Sequence, residues 1–301
     1  MSFIPEYNNQ NIENLSNEIN NLNFNSTKND QCELKDKEWS DDYKKVKTIS
    51  SGTFGTVIKA SNKITKEIRA IKLFNKYNAY FDEEKIKKEI NNAKKVENEN
   101  SIKIYDQYNS EEEIAIVMEL CDYSLSDKLK ESKGFTVDEI KNILVQLNNT
   151  FRIMIDKKII HRDIKLENIL VKDGIVKLSD YGETKQLSTL TQMKKQTRAG
   201  TPMTMAPEIL ESEDEKALYN SKSDLWSLGI IIYQMYFNHV PYNAMTDFAL
   251  MNKFKNDKNQ NLLMKESTGD KKLDDLIIKL LKYNPDERIN WNEYFDHPFF
   301  K

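Results

Sequence analysis

The chain has 301 residues, enough for one large domain of two lobes or for two ordinary domains. Lys and Arg number 45 and Asp and Glu number 48, so the formal charge of −3 argues against a nucleic-acid binder that works by bulk charge. No apolar run reaches the roughly 18 residues of a membrane span, and the N-terminus lacks the pattern of a secretory signal. Two cysteines form neither a disulfide framework nor a zinc-site spacing. We therefore expect a cytoplasmic protein without membrane insertion.

Residues 1–42 differ in composition from the rest of the chain, since ten of the first thirty residues are Asn. Ile12, Leu15, Ile19 and Leu22 nevertheless follow a 3-4-3 spacing that would align them on a short helix. One interpretation is a disordered arm, which we favour because two heptads are too few to indicate a coiled coil. The other is a segment that docks on the domain or on a partner.

Folded sequence is predicted to begin near Tyr43. Residues 43–121 contain mostly short strand-like runs, interrupted by one helical stretch at about 82–96. Residues 122–301 are mainly helical, and a capping box at Thr136 opens a long amphipathic helix. The pattern predicts an α+β fold with a small β-rich N-lobe, a larger helical C-lobe and a cleft between them.

The first candidate site is a glycine-containing stretch early in the N-lobe. Two glycines three residues apart, followed by apolar residues, favour a hairpin whose backbone N–H groups approach phosphates closely. An ordinary β-turn is the alternative. The stretch comprises Ile49, Ser50, Ser51, Gly52, Thr53, Phe54, Gly55, Thr56 and Val57.

Lys72 ends a short apolar run and could contact phosphate oxygens as a point charge. By itself it could equally be an exposed lysine on an edge strand. The helix that follows favours the first interpretation, because Glu89 lies on its apolar face, between Ile86 and Ala93. A carboxylate on an apolar face needs a partner, and Lys72 is the natural one.

Two further segments are connected by a predicted hairpin. Asp173-Gly174 between apolar runs is a strong type I′ turn signal, and a two-residue turn there places Asn168 opposite Ser179. Asn168 and Asp180 would therefore lie together, and their oxygens suit Mg²⁺. Asp163 lies five residues before Asn168 and is placed close by as a proton acceptor.

In this order and spacing, these segments resemble the eukaryotic protein kinase family of the Ser/Thr-specific type over about residues 43–301. Three later segments, at 200–208, 224–229 and 284–288, strengthen the resemblance. If the chain were unrelated to the family, all of these motifs would have to occur by chance in the same order and spacing. The resemblance implies a bilobal kinase fold, ATP as the phosphate donor and Mg²⁺ as the cofactor.

The resemblance also implies roles for residues. Residues 49–57 would cover the ATP phosphates, and Lys72 would contact them while paired with Glu89. Asp163 would accept the proton of the substrate hydroxyl, and Lys165 would stabilise the transferring phosphoryl group. Asn168 and Asp180 would hold Mg²⁺. The remaining nucleotide-binding positions would be Ala70, Met118 as gatekeeper, Glu119 to Cys121 in the hinge, and Leu170.

Regulation and substrate class follow from the same resemblance. Lys165, two residues after Asp163, is typical of kinases that phosphorylate Ser or Thr in proteins. Arg162 directly before Asp163 resembles kinases switched on by an upstream kinase that phosphorylates the activation loop. Thr197 is the preferred phosphorylation site, and an unmodified threonine is the alternative. Glu208 would pair with Arg288 in a structural role. The motifs specify neither a physiological substrate nor an oligomeric state.

Several positions depart from the family pattern. Ser50 stands in place of the first loop glycine, and Tyr181 replaces a phenylalanine, so its hydroxyl needs a partner if it is buried. Thr204 replaces a common aromatic residue, and Arg69 replaces a valine, with little consequence if it faces solvent. Two alternatives to an active kinase remain. One is a pseudokinase without turnover. The other is a small-molecule phosphotransferase, which is disfavoured because residues 206–208 resemble a segment that binds peptide substrates.

Overall fold

Five antiparallel strands form the N-terminal sheet in the computed structural model, which describes residues 34–52, 55–190, 194–197, 200–211, 216–257 and 265–301. Their order across the sheet is β1-β2-β3-β5-β4, so β3 is a central strand. The residue that ends the predicted apolar run, Lys72, is therefore not on a sheet edge. The strands are β1 (Tyr43–Gly52), β2 (Gly55–Asn62), β3 (Ile68–Asn75), β4 (Ile104–Asn109) and β5 (Glu113–Glu119).

Residues 34–42, which precede the predicted start of the domain near Tyr43, also pack on this sheet. Trp39 is partly buried against a small core on one face of the sheet, and its indole N–H donates to Glu113. The Tyr108 hydroxyl donates to Asp42 at 2.7 Å. Without Trp39, part of this apolar face would be exposed to water. Leu34–Lys301 is one compact unit. Residues 12–22, with their helical spacing, lie outside the described residues.

One helix, α1 (Glu83–Lys95), belongs to the N-lobe and matches the predicted helical stretch. The Asp82 side chain caps it by accepting a hydrogen bond from the Lys85 N–H at 3.0 Å. Its apolar face is buried together with Glu89, as the helical spacing predicts. The helix therefore presents one carboxylate to the interior of the molecule.

The C-lobe is mainly helical, and its longest helix begins with the predicted capping box between Thr136 and Glu139. A second long helix, α5 (Lys222–Phe237), is buried on almost all sides and forms the centre of the lobe. The α-helices of this lobe are α2 (Leu125–Glu131), α3 (Val137–Asp156), α4 (Pro207–Leu210), α5 (Lys222–Phe237), α6 (Asp247–Asn256), α7 (Lys271–Leu280) and α8 (Trp291–Phe295).

Short strands line the side of the C-lobe that bears the predicted catalytic residues. They form three small sheets, ordered β6-β8-β9, β7-β10 and β11-β12. Their bounds are β6 (Tyr123–Ser124), β7 (Ile159–Ile160), β8 (Ile169–Lys172), β9 (Ile175–Leu178), β10 (Lys185–Gln186), β11 (Lys194–Thr197) and β12 (Lys216–Tyr219).

The β8–β9 hairpin has the predicted register, with Ile169 opposite Leu178 and Lys172 opposite Ile175. Asp173 and Gly174 have φ angles of 50° and 79°, as a type I′ turn requires at both central positions. The α+β fold class with a β-rich N-lobe and a helical C-lobe is confirmed. Among the described residues, no helix is both long enough and apolar enough to span a membrane.

Candidate active site

Lys72 lies at the centre of the first charged cluster. Its amino group donates to Glu89 Oε1 at 2.7 Å and to Asp180 Oδ1 at 3.3 Å. The three residues come from β3, from α1 and from the segment after β9, so the cluster joins both lobes. Its position depends on α1 standing close to the sheet. The Lys72–Glu89 ion pair is the one expected from the helical spacing of Glu89.

Electrostatics keep two members of this cluster, Lys72 and Asp180, charged. Burial alone would lower the pKa of Lys72, but the carboxylates of Glu89 and Asp180 outweigh it and raise the pKa. Burial alone would raise the pKa of Asp180, but the positive charges of Lys72 and Lys165 lower it. A cation and a carboxylate therefore persist here at neutral pH, in a position where phosphate groups or a metal ion could be bound.

Asp163 forms the second cluster, in the loop after β7. Its Oδ2 atom accepts a hydrogen bond from the Asn168 amide at 3.0 Å and lies 2.7 Å from Lys165 Nζ. Its Oδ1 atom accepts from the Thr201 N–H at 3.1 Å and from the Thr201 hydroxyl at 3.0 Å. These contacts orient the carboxylate at both oxygens. Lys165 also donates to the Thr201 hydroxyl at 3.1 Å.

The contact between Thr201 and Asp163 was not predicted from the sequence. It depends on Gly200, whose φ is 107° and where a Cβ atom would lie 2.5 Å from the Arg162 carbonyl oxygen. Only glycine lets this part of the chain pass so close to the loop. The glycine in the motif at 200–202 was visible in the sequence, but its partner was not.

Asp224 is a second site residue that the sequence reasoning missed. Its carboxylate accepts the backbone N–H groups of His161 at 2.7 Å and Arg162 at 2.9 Å. Burial raises the pKa of Asp224, although the nearby positive charges and these backbone hydrogen bonds oppose the rise. Arg162 has a φ of 72°, so the loop is held in an uncommon conformation. A carboxylate near the start of an apolar helix was the available signal.

The hairpin brings Asn168 and Asp180 to the same end of the β8–β9 sheet. The Ser179 N–H donates to the Asn168 carbonyl at 2.9 Å, which fixes the neighbouring Asp180 beside it. The Asn168 amide nitrogen donates twice to Asp163, so its side-chain oxygen faces away from that residue. An amide oxygen and a carboxylate fit the ligand preference of Mg²⁺.

Several of the predicted nucleotide-binding residues lie on paired strands of the N-terminal sheet. Ala70 is buried and pairs in register with Met118, and Val57 pairs with Lys72. Leu170 lies on β8 in the C-lobe and is partly buried against its core.

The hinge residues have different surroundings from one another. The Glu119 side chain is buried and lies 3.1 Å from Lys177 Nζ, and it also accepts the Lys103 N–H at 2.8 Å. The Glu119 side chain is therefore held inside the protein by both contacts. Burial raises the pKa of the Cys121 thiol to about 12, so it stays protonated at neutral pH.

The predicted phosphate loop joins β1 to β2, with Gly52 opposite Gly55. A Cβ atom at Gly55 would lie 2.4 Å from the Leu73 carbonyl oxygen, so a side chain cannot fit there. The Ser51 and Thr56 hydroxyls are 3.1 Å apart, and Ile49 and Ser50 are exposed on β1. Thr53 and Phe54 lie outside the described residues.

The structure resolves the departures at Tyr181 and Arg69. Tyr181 is buried, and its hydroxyl donates to the Leu178 carbonyl at 3.3 Å, which provides the partner it needs. Arg69 does not simply face solvent. Its guanidinium lies 3.9 Å from the centre of the Tyr105 ring and pairs with Glu67 at 2.9 Å, so the side chain is largely covered.

The chain belongs to the protein kinase domain family. The family model matches residues 43–300, nearly all of the described part of the chain, and includes both charged clusters. The family resemblance seen in the sequence is thereby confirmed, and with it the fold class.

Individual relatives are kinases from distant eukaryotes. The chain is 32% identical to calcium-dependent protein kinase 5 of Plasmodium falciparum over 277 residues, which are 89% of this chain and 46% of the relative. It is 31% identical to the human serine/threonine-protein kinase ULK1 over 266 residues, 83% of this chain and 24% of the relative. It is 29% identical to the Arabidopsis thaliana serine/threonine-protein kinase TIO over 263 residues, 87% of this chain and 19% of the relative. The chain spans less than half the length of each.

Proposed function

We propose that the protein is an active Ser/Thr protein kinase that transfers the γ-phosphoryl group of ATP to hydroxyl groups of protein substrates. The observation that carries the proposal is the position of Lys72, within hydrogen-bonding distance of both Glu89 and Asp180. This contact requires α1, β3 and the segment after β9 to be assembled together. Similarity to serine/threonine-protein kinases of human and plant supports the substrate class.

In this proposal, Lys72 binds the α- and β-phosphates, and Glu89 keeps its amino group in place. The turn within residues 49–57 covers the phosphates, since its glycines allow close backbone approach. Adenine lies between Ala70, Met118 and Leu170, and the backbone of residues 119–121 reads its edge. These assignments extend the family pattern to matching positions of this chain.

Asp163 orients the substrate hydroxyl and accepts its proton. The hydrogen bonds from Asn168 and Thr201 hold its carboxylate in a single orientation, and positioning is a large part of what phosphoryl transfer needs. Lys165 lies beside the same carboxylate and stabilises charge on the transferring group. A substrate hydroxyl would share the Asp163 carboxylate with these donors.

Asn168 and Asp180 would hold Mg²⁺, which neutralises phosphate charge when it is bound. The side chains fit this role because the Asn168 oxygen faces away from Asp163 and the Asp180 carboxylate stays ionised. Lys72 positions Asp180 through their direct ion pair. The chain itself thus orients both oxygen ligands.

Phosphorylation of Thr197 by an upstream kinase is part of the proposal. Arg162 is buried, and its charge acts on Lys185 together with that of Lys88. Burial and these like charges lower the pKa of Lys185, so an added phosphate would find a cluster of cations. Thr197 belongs to β11, and its backbone pairs with Lys216.

We assign residues 43–301 to the kinase domain, divided at about residue 121 into its two lobes, and we place the protein in the cytoplasm, where ATP is available. Protein substrates and an upstream kinase are the proposed partners, and no nucleic acid is expected among them. Residues 34–42 extend the folded part of the N-lobe.

The direct test is transfer of labelled γ-phosphate from Mg-ATP to the protein itself and to a generic basic protein. The matched control is Asp163→Asn, which keeps the side-chain shape but removes the proton acceptor. We expect label on Ser and Thr with the wild type and a loss of about 10²- to 10⁴-fold with the variant. Mapping the label tests Thr197.

Two results would contradict the assignment as a protein kinase, and a third would contradict the role of one residue. If the wild type stays inactive after treatment with an upstream kinase while still binding ATP, the protein is a pseudokinase. If label appears on a metabolite but not on protein, it is a small-molecule phosphotransferase. Equal labelling by the wild type and Asp163→Asn would contradict the role of Asp163.

A further inference from the structure

A polar stripe runs along α1 next to the chain that follows Asp180. Lys85, Glu89, Asn92 and Lys95 are spaced by four, three and three residues, which places them on one side of the helix. Glu89 forms the ion pair with Lys72, but the other three residues have no part in the proposed reaction. Each of the three contacts a residue within 183–186.

The contacts follow the two segments in parallel order. Lys85 forms an ion pair with Glu183, near the start of the helix. The Asn92 amide donates to the Thr184 carbonyl at 3.3 Å. Lys95 donates to the Gln186 side-chain oxygen at 3.2 Å, near the end of the helix. The segment is therefore held along almost the whole length of α1.

Gly182 brings the segment even closer to the ion pair of the active site. A Cβ atom at this position would lie 3.2 Å from Glu89 Oε2 and 3.4 Å from Asp180 Oδ1. A shift of Glu183 would therefore move the backbone that lies against Glu89. The Lys85–Glu183 pair and the Lys72–Glu89 pair stand one helical turn apart on α1.

The same segment is anchored to the C-lobe on its other side. Lys185 pairs with Ile160 and Gln186 with Ile159, so β10 lies antiparallel beside β7. β7 is the strand that leads into the Asp163 loop. The Leu187 N–H also donates to the Lys158 carbonyl at 2.7 Å. Holding α1 to residues 183–186 thus holds it to the C-lobe, where Asp163 lies.

Glu183 brings a negative charge into a cluster of positive ones. The charges of Arg162, Lys88 and Lys85 all act on Lys185, and that of Glu183 opposes them. Glu183 is 29% exposed and its partner Lys85 is 44% exposed, so water and salt screen the pair in part. The contribution of the pair to the position of α1 is therefore modest and measurable.

We propose that Glu183 is a positioning residue, which pairs with Lys85 and holds α1 in place for the Lys72–Glu89 contact before any phosphate is added to the activation loop. The inference rests on the proposed kinase function for its effect on the reaction. The position of α1 itself does not depend on turnover.

The test uses the full chain after phosphatase treatment, with Glu183→Gln, Lys85→Gln and the exchanged pair Lys85→Glu with Glu183→Lys. Hydrogen exchange of the amides at 83–95 and the kcat and KM for ATP are measured for each. We expect faster exchange in α1 and a two- to fivefold loss of kcat/KM in both single variants, the range of an exposed ion pair. The exchanged pair should recover at least half of the loss.

Lys87→Gln is the matched control, because Lys87 pairs at 2.9 Å with Glu83 of its own helix. It removes the same charge from α1 and should leave kcat/KM unchanged, while any faster exchange should be confined to the first turns of the helix, where the pair with Glu83 is lost. Unchanged exchange in both single variants, or no recovery in the exchanged pair, would overturn the inference. If the wild type transfers no phosphate at all, the kinase proposal fails, but the exchange pattern still tests the Lys85–Glu183 pair.

Discussion

Two ion pairs, each between a cation and a glutamate, occupy different surroundings in this protein. Lys72 makes a single hydrogen bond to Glu89, and the side chains are 18% and 11% exposed. Arg288 binds Glu208 through two nitrogens, at 2.8 and 2.9 Å, and its side chain is fully buried. Arg288 also donates to the carbonyls of Lys222 and Lys282, at 2.9 and 3.1 Å.

The difference in hydrogen bonding and burial shows which of the two cations could bind a ligand in place of a present partner. The planar guanidinium of Arg288 binds both oxygens of the Glu208 carboxylate and also donates to backbone carbonyls, so this ion pair stabilises the C-lobe. The Lys72 ammonium is a compact charge that Asp180 already shares, and it borders the cleft. One pair is suited to structure and the other to ligand binding.

The largest effect is expected when the structural pair is broken. Arg288→Met leaves the Glu208 carboxylate without its partner in the interior, so the free energy of unfolding should fall by about 3–5 kcal/mol. Urea unfolding followed by tryptophan fluorescence measures the change. Lys279→Gln removes an exposed pair with Asp275 and should cost less than about 1 kcal/mol. If both variants lost the same free energy of unfolding, the Arg288–Glu208 pair would have no special structural role.

The next effect separates activity from stability. Lys72→Met should lower phosphoryl transfer by about 10²- to 10³-fold, the range for removal of one charge-stabilising group. Because burial raises the pKa of Glu89, this carboxyl can take up a proton once Lys72 is lost, which limits the loss of stability. Unfolding and transfer assays on the same preparation measure both. A stability loss larger than that of Arg288→Met would contradict the comparison.

The smallest effect concerns a third pair, between His297 and Asp275, whose atoms lie 3.0 Å apart. Burial lowers the pKa of His297 from its ordinary 6.5 more than Asp275 raises it. Below pH 6.5 the unfolded chain therefore binds a proton that the folded chain resists, so stability falls as the pH decreases from 6.5. Above that pH, His297 contributes no pH dependence.

Urea unfolding at pH 7.5 and pH 5.5 measures this dependence. His297→Gln should reduce the difference between the two pH values, whatever its effect at either one. His239 is 54% exposed, and His239→Gln should preserve the wild-type difference. An unchanged difference in His297→Gln would show that other groups produce the pH dependence.

Much of the candidate site could be predicted because its signals are local. Helical spacing indicated the Lys72–Glu89 pair, and the Asp173-Gly174 turn indicated the register that brings Asn168 beside Asp180. Both depend on a few consecutive residues and on fixed backbone geometry. The Glu208–Arg288 pair came from the family resemblance and is present in the structure.

Other contacts could not be predicted, because they join residues with no common periodicity. Three such contacts depend on where separate elements pack: that of Thr201 with Asp163, that of Asp224 with the loop at 161–162, and that of Glu183 with Lys85. The packing of residues 34–42 on the sheet has the same origin. A polar residue in a short segment has many possible partners until the core places one beside it.

The sequence by itself determined the fold class, the family, the order of the elements and the residue types that carry charge in the cleft. Periodicity, turn residues and caps are properties of neighbouring positions, so they can be seen in the chain alone. Only the tertiary structure decided which of the charged side chains are held by several partners and which stay open to the cleft. Burial and hydrogen bonding between distant segments arise only when those segments pack together.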